Sequence, residues 1–326
     1  MPKGVGQGGH ALPSPRQLLL PARLSQHLAM PRPVDPSADQ PRPEKATFPA
    51  RNYASRPKAP SGQTRPSTPA QRPQIATAWE KPAEWYDQHQ GEEGDDFYQR
   101  LILPTVLRRL DATAGQRVLD LGCGQGVLGR TLARAEVRSL GVDASPSLIQ
   151  AARLRASGQE AYVVGDVRDL PRFVSDRSFD HAAAVMALQD IDRIDSALSG
   201  AAQLVKPGGR LVVVLSHPCL RIPKSSSWGW DETAGVQYRR LDSYLSPFQV
   251  PIAIHPGDPT DRTRTTSFHR PLSAYLNALG AAGWAVLASD ELCSHRRGTR
   301  GKRSAAEDFA ATEFPLFLAL TAVRLA

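Results

Sequence analysis

The stretch that decides the fold lies at residues 117–126 and reads RVLDLGCGQG. It begins as a short apolar run of β character and ends with glycine at every second position. An apolar pattern with helical spacing follows at once over residues 127–135. A strand, a glycine turn and a helix in this order form the first unit of a parallel α/β sheet.

The same unit recurs along the chain. Further strand patterns lie at residues 139–143, 161–166, 179–185 and 210–215, and further helical patterns at residues 148–156 and 194–204. This alternation predicts an α/β fold with helices on both faces of the sheet. It also predicts that ligands bind at the carboxyl ends of the strands.

Acidic residues end three of these strands, and they bear on what the glycine turn binds. Residues 124–129 (GQGVLG) formally match a dinucleotide fingerprint, and Asp143 lies 19 residues beyond Gly124, where a ribose-binding acid is expected. Asp120, however, is a poor neighbour for a pyrophosphate, because like charges at close range repel. Together with Asp166, these acids favour a cationic nucleoside and leave a nicotinamide dinucleotide as the alternative.

Four segments in this order resemble the motifs of class I S-adenosylmethionine-dependent methyltransferases. They are residues 118–126 (VLDLGCGQG), 141–145 (GVDAS), 165–167 (GDV) and 204–209 (LVKPGG). The resemblance extends from about residue 79 to the C-terminus. It implies a Rossmann-like, seven-stranded sheet whose last strand, residues 314–320, is antiparallel and pairs with residues 283–287.

The resemblance also implies which residues bind S-adenosylmethionine. The glycine turn would lie under the methionine portion, with Asp120 acting on its amino group, while Asp143 would bind the ribose hydroxyls and Asp166 the adenine. The full expected set is Asp120, Gly122, Cys123, Gly124, Gly126, Asp143, Ala144, Asp166, Val167, Met186 and Ala187.

A long connection follows the fifth strand. Residues 217–271 are rich in Trp, Tyr, His and Pro, and so long a connection predicts a substrate lid inserted into the fold. Residues 76–115 predict an N-terminal helical cap in front of the first strand. The candidate substrate-facing residues are Tyr86 and His89 in the cap and Trp228, Trp230 and Arg270 in the lid.

Methyl transfer from a sulfonium is an in-line displacement, so a base is needed only if the acceptor must lose a proton. His217 is the first candidate base because it follows the end of the fifth strand, and His269 is the second. The alternative for each is a packed, hydrogen-bonded lid residue. Cys219 is expected to be a small buried residue rather than a nucleophile, and the Cys and His spacing predicts no metal site.

The net charge of +8 lies in one place. Residues 1–75 hold 11 Lys and Arg against 3 Asp and Glu, as well as 15 of the 28 prolines, whereas the remaining chain holds 29 of each charge. Such a segment predicts a disordered extension, with a transit peptide or a nucleic-acid-binding tail as alternatives. A second basic run, residues 295–303, predicts a solvated loop or a phosphate contact.

The sequence has only 3 cysteines, and it contains no apolar run of about 18 residues. These observations predict a soluble, cytoplasmic protein without a membrane partner. The expected function is transfer of a methyl group from S-adenosylmethionine to a small molecule. An RNA or other nucleic-acid methyltransferase and a nicotinamide-dinucleotide oxidoreductase are the alternatives. The oligomeric state is not predicted.

Overall fold

A computed structural model describes residues 77–254, 262–298 and 300–326. The predicted extension, residues 1–75, lies outside the described residues. The helices are α1 (Ala83–Gln90), α2 (Leu103–Leu110), α3 (Val127–Ala133), α4 (Pro146–Leu154), α5 (Leu170–Phe173), α6 (Ile194–Leu204), α7 (Leu272–Ala281) and α8 (Ser304–Glu313). The strands are β1 (Arg117–Leu121), β2 (Arg138–Asp143), β3 (Glu160–Val164), β4 (Phe179–Val185), β5 (Val205–Ser216), β6 (Ser226–Asp231), β7 (Val236–Leu241), β8 (Phe248–Ala253), β9 (Arg264–His269), β10 (Trp284–Leu292) and β11 (Phe317–Arg324).

Seven of these strands form one sheet in the order β10-β11-β5-β4-β1-β2-β3. Strands β1 to β5 pair in parallel, and β11 pairs antiparallel with both β5 and β10. The predicted Rossmann-like sheet with an antiparallel last strand is therefore confirmed. The strand order reverses where β1 lies beside β4, and ligands bind at such a switch point.

Both faces of the sheet are covered by helices, as predicted. Alternation along β1 puts Val118 on one face, in a core shared with Val106 of α2 and Leu132 of α3. Leu119 points to the opposite face, in a core shared with Leu198 of α6. Each such buried Leu or Val stabilises the fold by about 1.5–3 kcal/mol relative to an exposed side chain.

Local signals fix where the elements begin and end. The Ser145 side chain accepts the Leu148 backbone N–H at 3.2 Å and caps α4, and Pro146 occupies the first turn. The last strand runs over Phe317–Arg324 rather than residues 314–320, because α8 precedes it and ends at Glu313. The sequence patterns did not predict α8.

The segment between β5 and α7, where the lid is predicted, forms two antiparallel ribbons in its described part. One pairs β6 with β7 and the other pairs β8 with β9. Arg270 joins the second ribbon to the segment after β4, because its guanidinium donates to the Ile191 and Asp192 carbonyl oxygens, each at 2.6 Å. The insertion after the fifth strand is thus present, and its action as a lid stays a prediction.

Across residues 77–254, 262–298 and 300–326, every helix is too short or too polar to cross a bilayer.

Candidate functional site

A cavity of about 530 Å³ opens at the carboxyl ends of β1, β2 and β4. Its wall is completed by the segment before α2 and by the β8–β9 ribbon. Nine residues predicted from the sequence line it: Tyr86, Gly122, Gly124, Asp143, Ala144, Asp166, Val167, Met186 and Ala187. Nine others do not: His89, Asp120, Cys123, Gly126, His217, Trp228, Trp230, His269 and Arg270.

The glycine turn after β1 needs glycine for two reasons. Gly122 has a φ of +69°, and a Cβ there would lie 2.7 Å from the Ala187 Cβ. Gly124 has a φ of +54°, and a Cβ there would lie 3.4 Å from the Tyr86 ring. The turn therefore uses a backbone conformation that residues other than glycine rarely adopt. The absence of side chains also lets Ala187 and Tyr86 pack closely against the turn.

Asp143, at the end of β2, is held by the backbone. Its Oδ2 accepts the Gly124 N–H at 2.9 Å, and its Oδ1 accepts the Ser145 N–H at 2.8 Å. Burial raises the pKa of Asp143, although the hydrogen bonds from Ser145, Gly124 and Ala144 oppose that rise. Each carboxylate oxygen retains a second lone pair, so Asp143 can still accept hydrogen bonds from a diol.

Asp120 lies behind the turn rather than on the cavity wall. The residue is 2% exposed. Burial, followed by the nearby charge of Asp143, raises its pKa to about 7. Cys123 is also directed away from the cavity, because it packs against Gly141 and the cluster around Tyr162. The predicted contact between Asp120 and a ligand would have to be indirect.

Asp166 and Val167 follow β3 and form another part of the wall. Arg168 donates to Asp166 at 2.6 Å and to Asp192 at 2.7 Å, so this guanidinium joins two acids. Burial alone would raise the pKa of Asp166, but the hydrogen bonds from Arg168 lower it below its usual value. Asp166 is consequently an ionised acceptor in the region predicted to bind adenine.

Met186 and Ala187 form the wall beside β4. Met186 has a φ of +54°, which is unusual for a residue other than glycine. Its N–H donates to the Val214 carbonyl at 2.8 Å, and its own carbonyl accepts from the Gln189 side-chain amide at 2.6 Å. These two bonds fix the turn that carries the chain from β4 across the cavity.

The N-terminal segment closes one side of the cavity through Tyr86. Burial raises the pKa of the Tyr86 phenol to about 12, and its hydroxyl group is hydrogen bonded to Tyr98. Asp87, one residue later in α1, makes a two-point ion pair with Arg155 at 2.5 and 2.8 Å. His89 points elsewhere: it stacks on Trp85 with a ring separation of 5.0 Å.

Both candidate catalytic histidines lie outside the cavity wall and already have partners. His217 is buried, with Nε2 at 2.9 Å from Glu291 Oε1 and Nδ1 accepting the Cys219 N–H at 3.3 Å. The Nε2 atom of His269 lies 2.7 Å from the Tyr244 carbonyl oxygen. The arrangement gives each imidazole a hydrogen-bonding role in packing, and no observation supports either as a base.

Strand alternation explains which insertion residues face the cavity. Thr266 and Phe268 of β9 line the cavity. His269, the last residue of β9, points to the opposite face of the ribbon. The predicted Trp228 and Trp230 belong to the other ribbon, where Arg239 and Arg303 lie over their rings. The long insertion was identified from the sequence, but the ribbon that lines the cavity was not.

Two residues that sequence reasoning did not assign also line the cavity. Asp190 and Gln189 belong to a short 3₁₀ turn, Leu188–Asp190, just after β4. Burial raises the pKa of Asp190 to about 7, despite side-chain hydrogen bonds from Ser267 and Trp79. The sequence did contain a signal for Asp190, because an acidic residue shortly after a central parallel strand is a candidate for the ligand site.

Cys219 and three residues of the basic run also have structural partners. The Cys219 thiol lies 3.3 Å from the Tyr244 hydroxyl. In the basic run, His295 and Arg296 both contact Asp96, at 2.6 and 3.0 Å, and Arg297 lies 3.8 Å from Asp308. Within the described ranges, no group of three His, Cys, Asp or Glu side chains could hold a metal ion.

Comparisons with known proteins agree with this geometry. A family model described as a methyltransferase domain matches residues 119–213. The demethylmenaquinone methyltransferase of Tropheryma whipplei is 41% identical over 113 residues, which are 34% of this chain and 46% of that protein. The ubiquinone biosynthesis O-methyltransferase of Xanthomonas oryzae pv. oryzae is 34% identical over 130 residues, which are 39% and 54% of the two chains. The chain thus spans about half the length of these curated relatives.

Among solved structures, an S-adenosylmethionine-dependent methyltransferase from Mesorhizobium loti is similar over 72% of this chain and all of its own, with 26% identity and a TM-score of 0.55. Its match extends well beyond residues 119–213, so the likeness includes elements outside the motif region. Three findings point to the same fold and ligand. They are the order of the strands, the glycine turn with acids at the strand ends, and these similarities to known proteins. Residues 119–213 therefore match a methyltransferase domain, and the described residues share the fold of an S-adenosylmethionine-dependent methyltransferase.

Proposed function

We propose that this chain transfers the methyl group of S-adenosylmethionine to a small-molecule acceptor. The observation that carries the proposal is the meeting, in one cavity, of the glycine turn, the backbone-held carboxylate of Asp143 and the acid at Asp166. These groups offer close backbone approach and acceptors for a ribose and an adenine.

The charge of the cavity wall fits S-adenosylmethionine better than a dinucleotide. Five acidic residues line the cavity (Asp95, Asp143, Asp166, Asp190 and Asp192), and Arg168 is the one Lys or Arg among its described lining residues. That guanidinium is already paired with Asp166 and Asp192. A pyrophosphate would be repelled here, whereas a sulfonium and an ammonium would be attracted.

When bound, S-adenosylmethionine supplies a methyl group activated by its sulfonium leaving group. The residues of the chain supply position and exclude water. Asp143 would hold the ribose hydroxyls, and the Gly122 turn would hold the methionine portion. Tyr86 of the N-terminal segment and Phe268 of the β8–β9 ribbon, which both line the cavity, would keep water from the reacting centre.

A small acceptor is supported by the size of the cavity and by the ion pairs of the basic run, residues 295–303. The N-terminal segment and the β8–β9 ribbon both contribute to the wall, which leaves about 530 Å³ for cofactor and acceptor together. Arg296 and Arg297 already face acids, so they are poorly placed to recruit a nucleic-acid phosphate. The names of the two curated relatives refer to small molecules, demethylmenaquinone and ubiquinone.

Calorimetry with S-adenosylmethionine and S-adenosylhomocysteine tests the cofactor. We expect both to bind, Asp143→Ala to weaken each by at least about tenfold, and NADH not to bind. Asp195→Asn is the matched control, because Asp195 is exposed on α6 and outside the cavity. Binding of NADH without S-adenosylhomocysteine would overturn the cofactor assignment.

A second experiment tests the acceptor class. A metabolite extract and total RNA are each incubated with the protein and methyl-labelled S-adenosylmethionine. We expect label in a small molecule that depends on active protein. Label found in RNA alone would show that the acceptor is a nucleic acid.

A further inference from the structure

Gln125 lies in the glycine turn, between Gly124 and Gly126, and it is not among the described residues that line the cavity. The residue is 1% exposed, which is unusual for a glutamine. Gly124, directly before it, donates its backbone N–H to Asp143 at 2.9 Å and lies beside the Tyr86 ring. A shift of Gln125 would therefore move backbone that contacts both Asp143 and the N-terminal segment.

The side-chain amide of Gln125 joins three separate segments. Its Nε2 donates to the carbonyl oxygen of Gly91, the residue after α1, at 2.5 Å. Its Oε1 accepts from Arg130 of α3 at 2.6 Å and from Arg155, the residue after α4, at 3.1 Å. These neighbours fix the orientation of the amide, because a carbonyl oxygen can only accept and a guanidinium can only donate. Both polar atoms of the side chain thus have partners in other elements.

The two arginines extend this network to the N-terminal segment. Arg130 also donates to the Gln125 backbone carbonyl at 2.6 Å and to the Glu92 carbonyl at 2.7 Å. Arg155 makes the ion pair with Asp87 of α1. The contacts that hold α1 and the residues after it therefore meet at one buried side chain of the glycine turn.

Resting on the proposed function, we propose that Gln125 is a positioning residue for the cofactor, which it does not touch. Its amide sets the distance between the glycine turn and α1, which carries Tyr86 to the cavity wall. An apolar side chain of the same length would fill the space equally well. It would, however, leave the Gly91 carbonyl and two guanidinium groups without the partner that they share.

The consequence is retention of the cofactor. The glycine turn and Tyr86 both line the cavity, so a ligand bound there lies between two walls that the Gln125 amide joins. Without that link α1 opens more often, and the ligand leaves faster. Gln125 thus controls release although it has no contact with the ligand.

Gln125→Glu is the sharpest variant, because glutamate has the same shape and keeps an acceptor for both arginines. It replaces the N–H donor by an oxygen, which repels the Gly91 carbonyl oxygen. Gln116→Glu is the matched control. Gln116 directly precedes β1, at the opposite end of that strand from the glycine turn, and its Oε1 accepts the Thr113 N–H at 2.8 Å.

Calorimetry and stopped-flow release experiments use the full chain and S-adenosylhomocysteine. We expect Gln125→Glu to bind this ligand at least about tenfold more weakly and to release it at least about tenfold faster, while Gln116→Glu matches the wild type. Hydrogen–deuterium exchange separates positioning from a general loss of stability. In Gln125→Glu the amides of α1 should exchange faster, whereas those of β4 should not.

The possible results separate the two proposals. If S-adenosylhomocysteine does not bind the wild-type chain, the proposed function fails. If it binds, and a folded Gln125→Glu releases it at the wild-type rate, the positioning inference fails alone. Equally faster exchange in α1 and β4 would also overturn the inference, because Gln125 would then serve only stability. Should Gln125→Glu not fold, the wild-type chain gives the answer: S-adenosylhomocysteine should slow exchange in α1, and unchanged exchange there would refute the coupling.

Discussion

Replacing Gly122 by alanine should damage both stability and cofactor binding. The turn after β1 holds Gly122 at a φ of +69°, and a new Cβ would lie 2.7 Å from the Ala187 Cβ. Carbon atoms do not approach so closely, so the turn or the segment after β4 must move. Both form the wall of the cavity.

The cost has two parts that can be estimated separately. A residue other than glycine in the left-handed region costs about 1–2 kcal/mol. Forcing a methyl group into a packed contact costs about 1–3 kcal/mol. We therefore expect Gly122→Ala to lower the free energy of unfolding by about 2–5 kcal/mol, and to weaken S-adenosylhomocysteine binding by at least about tenfold.

Two further variants separate these contributions. Gly115 has a φ of +83°, but a Cβ added there would meet no atom within 4 Å, so Gly115→Ala carries the backbone cost alone. Ala187→Gly removes the atom that Gly122→Ala strikes, so the double variant should regain about 1–3 kcal/mol relative to Gly122→Ala.

Urea unfolding followed by circular dichroism gives the free energies, and calorimetry gives the affinities. The reasoning is refuted if Gly122→Ala costs no more than Gly115→Ala, or if Ala187→Gly restores nothing in the double variant. Unchanged cofactor affinity in a destabilised Gly122→Ala would separate the turn from the binding site.

Three further outcomes follow from the contacts. His217→Ala should lower the free energy of unfolding by about 2 kcal/mol yet keep the affinity for S-adenosylhomocysteine, since its imidazole has hydrogen-bonding partners away from the cavity; lost turnover in a folded variant would restore it as a candidate base. Burial and the charge of Asp143 raise the pKa of Asp120 to about 7, above its unfolded value, so the contribution of this residue should lower the free energy of unfolding progressively as the pH rises from about 4 to about 7. Asp120→Asn should flatten that slope in urea midpoints, and an unchanged slope would contradict the assignment. Asp87→Ala removes the ion pair by which Arg155 holds α1, so it should raise the dissociation rate of S-adenosylhomocysteine about threefold. Stopped-flow experiments measure this rate, and an unaltered rate would mean that α1 does not control release.

Much of the fold could be predicted because its signals are local. Each strand of the parallel core is a short apolar run, and the pattern over residues 194–204 coincides with α6. The two ribbons of the insertion and α8 were not predicted. Their strands are short and half exposed, so they lack the apolar contrast that marks the core strands.

The position of the residues proposed to bind the cofactor could be predicted because they lie at strand ends. Asp143 is the last residue of β2 and Asp166 comes two residues after β3, so parallel topology alone brings them to one edge of the sheet. The rest of the cavity wall could not be predicted, because it depends on how segments distant in the sequence meet. The direction of His217 is decided by its pairing with Glu291 of β10. The segment after β4 is placed by β9, far along the chain, where the Ser267 hydroxyl donates to the Gln189 carbonyl oxygen.

The N-terminal segment is held beside the cavity by polar contacts, and this has a consequence for its motion. Glu80 accepts from the Ser145 and Ser147 hydroxyls at 2.5 and 2.6 Å, and Arg130 donates to the Glu92 carbonyl at 2.7 Å, in addition to the ion pair of Asp87. Dissolved salt screens ion pairs and hydrogen bonds to charged groups and so weakens them, whereas it leaves apolar contacts unchanged or strengthens them. Added salt should therefore loosen the N-terminal segment and speed the exchange of any ligand bound in the cavity that this segment helps to line.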